Sequence, residues 1–542
     1  MPGIVSAGAR AGIFRSNGMA LNGINHADGN RRDDRAPVGG AATPLHWRLL
    51  LAGTLAPLAA LVLLSAFDVP LGLPGKFVYP YSPVVGERLR ALPWALPVAA
   101  AIGLGAAWSQ DSRRARRIGG QALFWTGCAA GGVWSFVAPP QFVSQHYFNM
   151  VSPSHDGAFL AEARKIARLG EYLRYFPERA RTPREEMRGT RVISNPPGAT
   201  VLAHGVLGLL AGRPELADAL ERAFVSAEVD DPRARRDVAE ALAFALVLAA
   251  LWLAAGPVIY LAARELLPNG AALLVAGGCL LTPATLSLSP GKDSAQLLTT
   301  AIGLWLWLRA CRRQRAILAT LAGAAFAGAC LVSLAHVWVA VAACGATALH
   351  AFRRRALTPL LVRVAAPAAS TGLLLCIVLL VGWGVNALEI GRAVAAAQAS
   401  VTRGPDAMPW YWQALGAPLF LLFAGPVPWT LALWAGFGRA RDDAARLGGA
   451  LFGLTGLILL GTVVFTNVET PRLWIPFMPL LLIGLALRAS SVRQGGPTAS
   501  ALIGVLLAVQ VAASALSWSL MDMRETETRL VDGPAGGPRL FH

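Results

Sequence analysis

The sequence predicts an all-α polytopic membrane protein with about 13 transmembrane helices and a large helical first extracytoplasmic loop. Three observations predict it. The 542 residues are 55% hydrophobic and only 15% charged, where a soluble chain carries about 25% charge. The mean hydropathy is +0.51. The apolar residues come in blocks of 16 to 24, near the ~20 residues a helix needs to cross a bilayer. The ~10-residue alternating segments of a membrane β-barrel are not evident.

Residues 1–47 are rich in Gly, Ala, Asn and Arg without periodicity, and read as a disordered cytoplasmic tail. The first apolar block begins near Leu49, too far along for an ordinary cleaved signal peptide. Helices at 49–67 and 91–108 would make an N-terminal hairpin over 48–120. A main module over 121–490 would hold helices at 121–138, 238–262, 268–287, 295–310, 316–333, 334–352, 363–383, 413–437, 448–466 and 472–488. The last helix, 499–518, falls in the closing segment 491–542.

Charge orients these helices. The net charge of +17 comes nearly all from Arg, in short clusters between apolar blocks. No basic face coincides with a nucleic-acid-binding motif, so no nucleic-acid partner is expected. The clusters 113–117, 312–315, 353–355, 439–446 and 488–493 should all be cytoplasmic. They can be so only if the apolar block 196–212, opened by 'NPPG', does not cross. An outer loop over 139–237 results, with smaller outer loops at 288–294, 384–412 and 467–471 and a turn at 333–336.

The six cysteines lie in apolar blocks or at their edges, with no CxxC pair. Neither a disulfide framework nor a structural zinc site is expected.

Five constellations stand out. The stretch 'PSHDGAFLAEARKIARLGEYLRYFP' (153–177) presents His155 and Asp156 at the head of an amphipathic helix. Ser154 and Asp156 are good caps, worth ~1 kcal/mol each, which favours a capping role; a catalytic carboxylate at the membrane surface is the alternative for Asp156. 'LTPATLSLSPGKDSAQLL' (281–298) sets Lys292 and Asp293 between two apolar helices. 'TNVETPRLWIPFMPLLLIG' (466–484) sets Glu469 and Arg472 at the outer end of a Pro-rich helix. Arg472 there either pairs with Glu469, snorkels, or binds a lipid phosphate through its planar donor fork. His336 lies between helices, while His146 and His204 are weaker candidates. Trp410, Tyr411 and Trp412 suit an interfacial aromatic belt or a sugar-stacking surface. Asp156, Asp293, His336, Glu469 and Arg472 all fall on the outer face of the expected topology. Ionisable residues gathered where helices meet an outer loop suggest one polar site.

At these residues the pattern resembles the GT-C superfamily of polytopic glycosyltransferases, over roughly 120–490. 'SHDGAFLAEARKIARLGEYL' and 'NPPGATVLAHGVLGLL' resemble the family's acidic first outer loop with its surface segment. The stretch 260–298 resembles its helix pair with an acidic second outer loop, and 'ETPRLWIPFMPLL' its late outer-end Arg. Two departures exist: the acidic loop follows the third helix rather than the first, and single acids replace any Asp-x-Asp pair. The second leaves the resemblance without support for a divalent metal cofactor.

The resemblance implies transfer of a sugar from a polyprenyl-phosphate-linked donor to an extracytoplasmic lipid, glycan or protein acceptor. Asp156 would be the general base, Asp293 a second acid orienting the acceptor or a metal, and Arg472 or Lys292 the phosphate clamp. His155, His336 and Glu469 would support substrate. Arg-over-Lys and Ala-rich usage suggests a bacterial inner membrane. A secondary transporter or lipid flippase is the competing expectation; such proteins carry broken helices and polar residues near mid-membrane, whereas this sequence keeps its charges at helix ends and has one large asymmetric outer segment.

Overall fold

The computed structural model describes residues 44–521 except 74–76, 80, 83–84, 138–148, 153–154, 184–190, 227–228, 404–414, 438–441, 467–469 and 490–496. The expected tail lies outside the described residues up to position 43, and Pro44 already opens the first helix.

The described helices are α1 (Pro44–Ala66), α2 (Val85–Leu89), α3 (Leu92–Trp108), α4 (Arg114–Val137), α5 (Gly157–Ala163), α6 (Leu169–Arg181), α7 (Gly198–Gly212) and α8 (Pro214–Phe224). Then come α9 (Pro232–Arg264), α10 (Asn269–Leu280), α11 (Pro283–Ser287), α12 (Lys292–Arg313), α13 (Ala316–Cys330), α14 (Ala335–Arg353) and α15 (Leu357–Trp383). The chain closes with α16 (Ala387–Arg403), α17 (Gly416–Ala424), α18 (Pro426–Phe437), α19 (Asp443–Thr466), α20 (Thr470–Leu473), α21 (Met478–Arg488) and α22 (Pro497–Leu520). Two three-residue strands, β1 (Leu71–Leu73) and β2 (Phe77–Tyr79), pair antiparallel between α1 and α2.

The chain is therefore an α-helical membrane protein. Among the described residues, six helices are long and apolar enough to cross a bilayer: α1, α9, α14, α15, α19 and α22. The pair α17–α18 makes a seventh if counted as one span. Large apolar side chains face outward, including Trp94, Leu373, Val381 and Leu457. A soluble monomer seldom exposes so much apolar surface. Only 6% of the apolar window of α15 is buried, so that helix lies at the periphery.

Three expectations are corrected. The single helix expected over 413–437 is a pair bent by 102°. Gly425 makes the bend with φ +82, in the left-handed region that suits glycine. Gln510 of α22 then accepts from the Val427 N–H at 2.9 Å and donates to the carbonyls of Leu281 (2.9 Å) and Ala424 (3.3 Å). Backbone groups freed by a break inside a membrane need such a partner. The expected loop 384–412 carries the amphipathic helix α16, which packs on α6. The one amphipathic helix expected over 153–177 is two, α5 and α6. The block 196–212 forms α7, an apolar helix of 15 residues.

The bundle packs α9 on α12, α3 on α4 and α22, and α19 on α21. Small residues allow the closest approaches. A Cβ on Gly103 would lie 2.7 Å from the Gly504 carbonyl, and one on Gly504 2.6 Å from that of Gly103. This backbone proximity is the usual device of helix packing in lipid.

The helices also give the bundle a polarity. Lys292 and Asp293 open α12, and Arg312 and Arg313 close it. His336 lies near the start of α14, and Arg353 ends it. Basic clusters and the acidic site residues thus lie at opposite ends of the same helices.

Candidate functional site

Four separate segments converge at one end of the bundle: the start of α5, the stretch 191–197, the turn into α12, and α20. Asp156 stands at the N-cap position of α5, yet its side chain makes no capping bond. Its capping reading is thereby overturned. Arg191 Nη1 donates to Asp156 Oδ1 at 2.6 Å, and the backbone N–H of Lys292 donates to Oδ2 at 2.7 Å. The second bond needs Gly291. A Cβ there would stand 2.5 Å from the Leu288 carbonyl and 3.2 Å from Asp156 Oδ2.

The second guanidinium nitrogen of Arg191 donates to Asp293 Oδ2. Arg472 Nε lies 3.3 Å from that same oxygen. Asp293 Oδ1 accepts from Gln296 Nε2 at 2.8 Å and has Lys292 Nζ at 3.4 Å. Lys292 Nζ also donates to Asn195 Oδ1 and stands 5.8 Å over the Phe159 ring. Asp156, Lys292 and Asp293 are all buried. Buried charges of this kind persist only when paired and hydrogen-bonded.

Three cations and two carboxylates meet here, leaving one positive charge in excess among the described residues. Burial alone would raise the Asp293 carboxyl; Arg191, Lys292 and Arg472 outweigh it and hold the group below the usual carboxylate range. Burial lowers the Lys292 ammonium despite the neighbouring Asp293.

A cavity of about 470 Å³ adjoins the cluster. Asp293, Gln296, Ser194 and Asn195 form its polar corner. Trp338, Val394, Ile458, Leu473, Trp474 and Phe477 supply an apolar wall. Asp293 therefore lies on the cavity wall, whereas Asp156 stands behind Arg191.

The remaining expected residues fall as follows. His336 is buried, with Nε2 2.8 Å from Thr299 Oγ1 and Nδ1 3.0 Å from the Ser333 carbonyl. His155 Nδ1 is 3.2 Å from Ser152 Oγ. His204 lies off the cluster, 3.4 Å from the Ala163 carbonyl. Glu469, His146 and Trp410, Tyr411 and Trp412 lie outside the described residues.

No cluster of three or more His, Cys, Asp or Glu suited to a metal ion occurs among the described residues. The position between the two carboxylates is taken by a guanidinium. The cysteines are all free thiols.

Sequence reasoning missed Arg191, Asn195 and Gln296. Arg191 is one of five arginines between positions 178 and 191, and nothing local distinguishes it. Asn195 carried a weak signal, standing directly before the double proline.

No protein-family model matches this chain, and no curated protein resembles it significantly in sequence.

Proposed function

We propose that this chain is a membrane glycosyltransferase drawing its sugar from a polyprenyl-phosphate-linked donor, in the manner of the GT-C superfamily it resembles. One observation carries the reading: a buried cluster with one excess positive charge adjoins a cavity with an apolar wall. An amphiphile with an anionic head and a greasy body fits both halves. In this proposal the thirteen crossings hold, and the site faces the extracytoplasmic side of a bacterial inner membrane. The acceptor is a lipid, glycan or protein of the cell envelope.

In the proposed step, the acceptor oxygen attacks the anomeric carbon while the bond from that carbon to the phosphate oxygen breaks. Polyprenyl phosphate leaves with the bonding electron pair, and the hydroxyl proton passes to a carboxylate. The cavity geometry favours Asp293 as that carboxylate, with Asp156 fixing Arg191. Held by three cations, Asp293 is a weak base. A donor phosphate that draws Arg472 and Arg191 to itself would restore its basicity. Such proton transfer contributes roughly 10²–10⁴-fold, and a preorganised phosphate clamp roughly 10²–10³-fold.

Mass spectrometry of envelope lipids and glycans tests the reading. Cells lacking the protein should lose one sugar modification. Wild type should restore it; Asp293→Asn and Arg472→Gln, present in the membrane at equal level, should not. Full rescue by both variants would refute the site.

The bent pair α17–α18 favours a transporter or flippase as the second reading. Against it, no residue of that pair lines the cavity.

A further inference from the structure

At the opposite end of α14, α19 and α21 lies a second cavity, of about 610 Å³. Arg353, Arg446 and Arg488, one from each helix, line it. Arg353 and Arg488 form no ion pair with a carboxylate among the described residues. Asp443 is engaged by Arg354, and Arg446 reaches it only at 3.7 Å. Arg488 Nη1 lies 3.0 Å from where a Cβ on Gly449 would stand, so the missing side chain at 449 leaves it room.

The cavity does not end at the arginines. Leu349 and Leu457 continue its wall, and Leu457 is 67% exposed. From Arg446 to Leu457 the helix rises about 16 Å, so a charged head region passes into an apolar groove. We propose that this cavity holds the phosphate headgroup of an anionic phospholipid, with an acyl chain lying along the leucine wall. Guanidinium forks bind phosphate oxygens in pairs. Basic pockets between helices recognise anionic headgroups in this way. The volume exceeds what a lone phosphate fills, and the exposed leucines face where lipid tails lie. This proposal is independent of the sugar-transfer reading, because no residue of this cavity belongs to the Asp156–Asp293 cluster.

Native mass spectrometry of the full-length protein in detergent tests it, with phosphatidylglycerol or phosphatidylcholine of identical acyl chains added. Wild type should retain phosphatidylglycerol at least ~10-fold better, a difference of about 1.4 kcal/mol. The triple variant Arg353→Gln, Arg446→Gln, Arg488→Gln should lose that preference. Gly453→Leu provides a second arm: Gly453 lines the cavity and a Cβ there meets nothing within 4 Å, so a side chain at 453 has open space to enter. It should reduce retention while keeping the lipid-free unfolding midpoint of wild type. Equal retention of both lipids by wild type, or undiminished phosphatidylglycerol retention in both variants, would overturn the proposal. Complete displacement of the lipid by millimolar inorganic phosphate would assign the cavity to a free anion and overturn it equally.

Discussion

Arg191 joins two carboxylates from segments far apart in the chain, and each depends on its fork. Removing one partner of a buried ion pair costs about 3–5 kcal/mol, because the remaining charge loses its compensation. Arg191→Met should lower the unfolding midpoint clearly. Arg191→Lys should recover part of the stability but, lacking the fork, not the turnover. Turnover per folded protein should fall about 10²–10³-fold in both. Acid should act through Asp293. Its folded value is depressed, so its contribution to stability is complete above the unfolded value of about 4. That contribution is lost as pH falls from there through the lower folded value. Melting curves between pH 6 and pH 2 should show this loss in wild type and a flatter profile in Asp293→Asn. Asp156, Lys292, Asp293 and Arg472 could be picked out from the sequence because each charge interrupts apolar surroundings. Arg191 could not, because arginine is common in its neighbourhood. The choice of which arginine turns inward is made by the tertiary fold.

At the level of elements, hydrophobic block length located the helices well and their breaks poorly. The run 413–437 reads as one span because Gly425 and Pro426 interrupt it without adding charge. The break is tolerable only because Gln510, distant in sequence, satisfies the backbone there. Gln510→Leu leaves buried polar groups unsatisfied, at about 1–3 kcal/mol. A lower unfolding midpoint with an unchanged oligomeric state would be the expected signature. The helix α16 was missed for another reason. Its many small residues and scattered charges made 384–412 resemble a loop, yet Val394 and Gln398 reach the cavity wall. Asp156, at the head of α5, was easier to anticipate, because 'SHDG' sets a charge at the start of an amphipathic stretch.

For the whole molecule, the arrangement is two sites at the two ends of shared helices. One end pairs buried carboxylates with cations beside an apolar cavity; at the other, Arg353, Arg446 and Arg488 line the cavity and Asp443 is engaged by Arg354. Composition made the membrane class plain, because no soluble fold buries so many apolar blocks. The grouping of Asp156, Asp293 and Arg472 followed only from the expected topology. The central claim is that the mixed-charge site cleaves a lipid-phosphate sugar. Its most direct test uses purified protein in bilayer discs, supplied with polyprenyl-phosphate-linked sugars and an envelope extract as acceptor source. Release of polyprenyl phosphate is measured. Wild type should release it with formation of a glycosylated product, and Asp293→Asn at least ~100-fold more slowly. An intact donor carried across the bilayer of proteoliposomes without release, or an Asp293→Asn variant as active as wild type, would contradict the account.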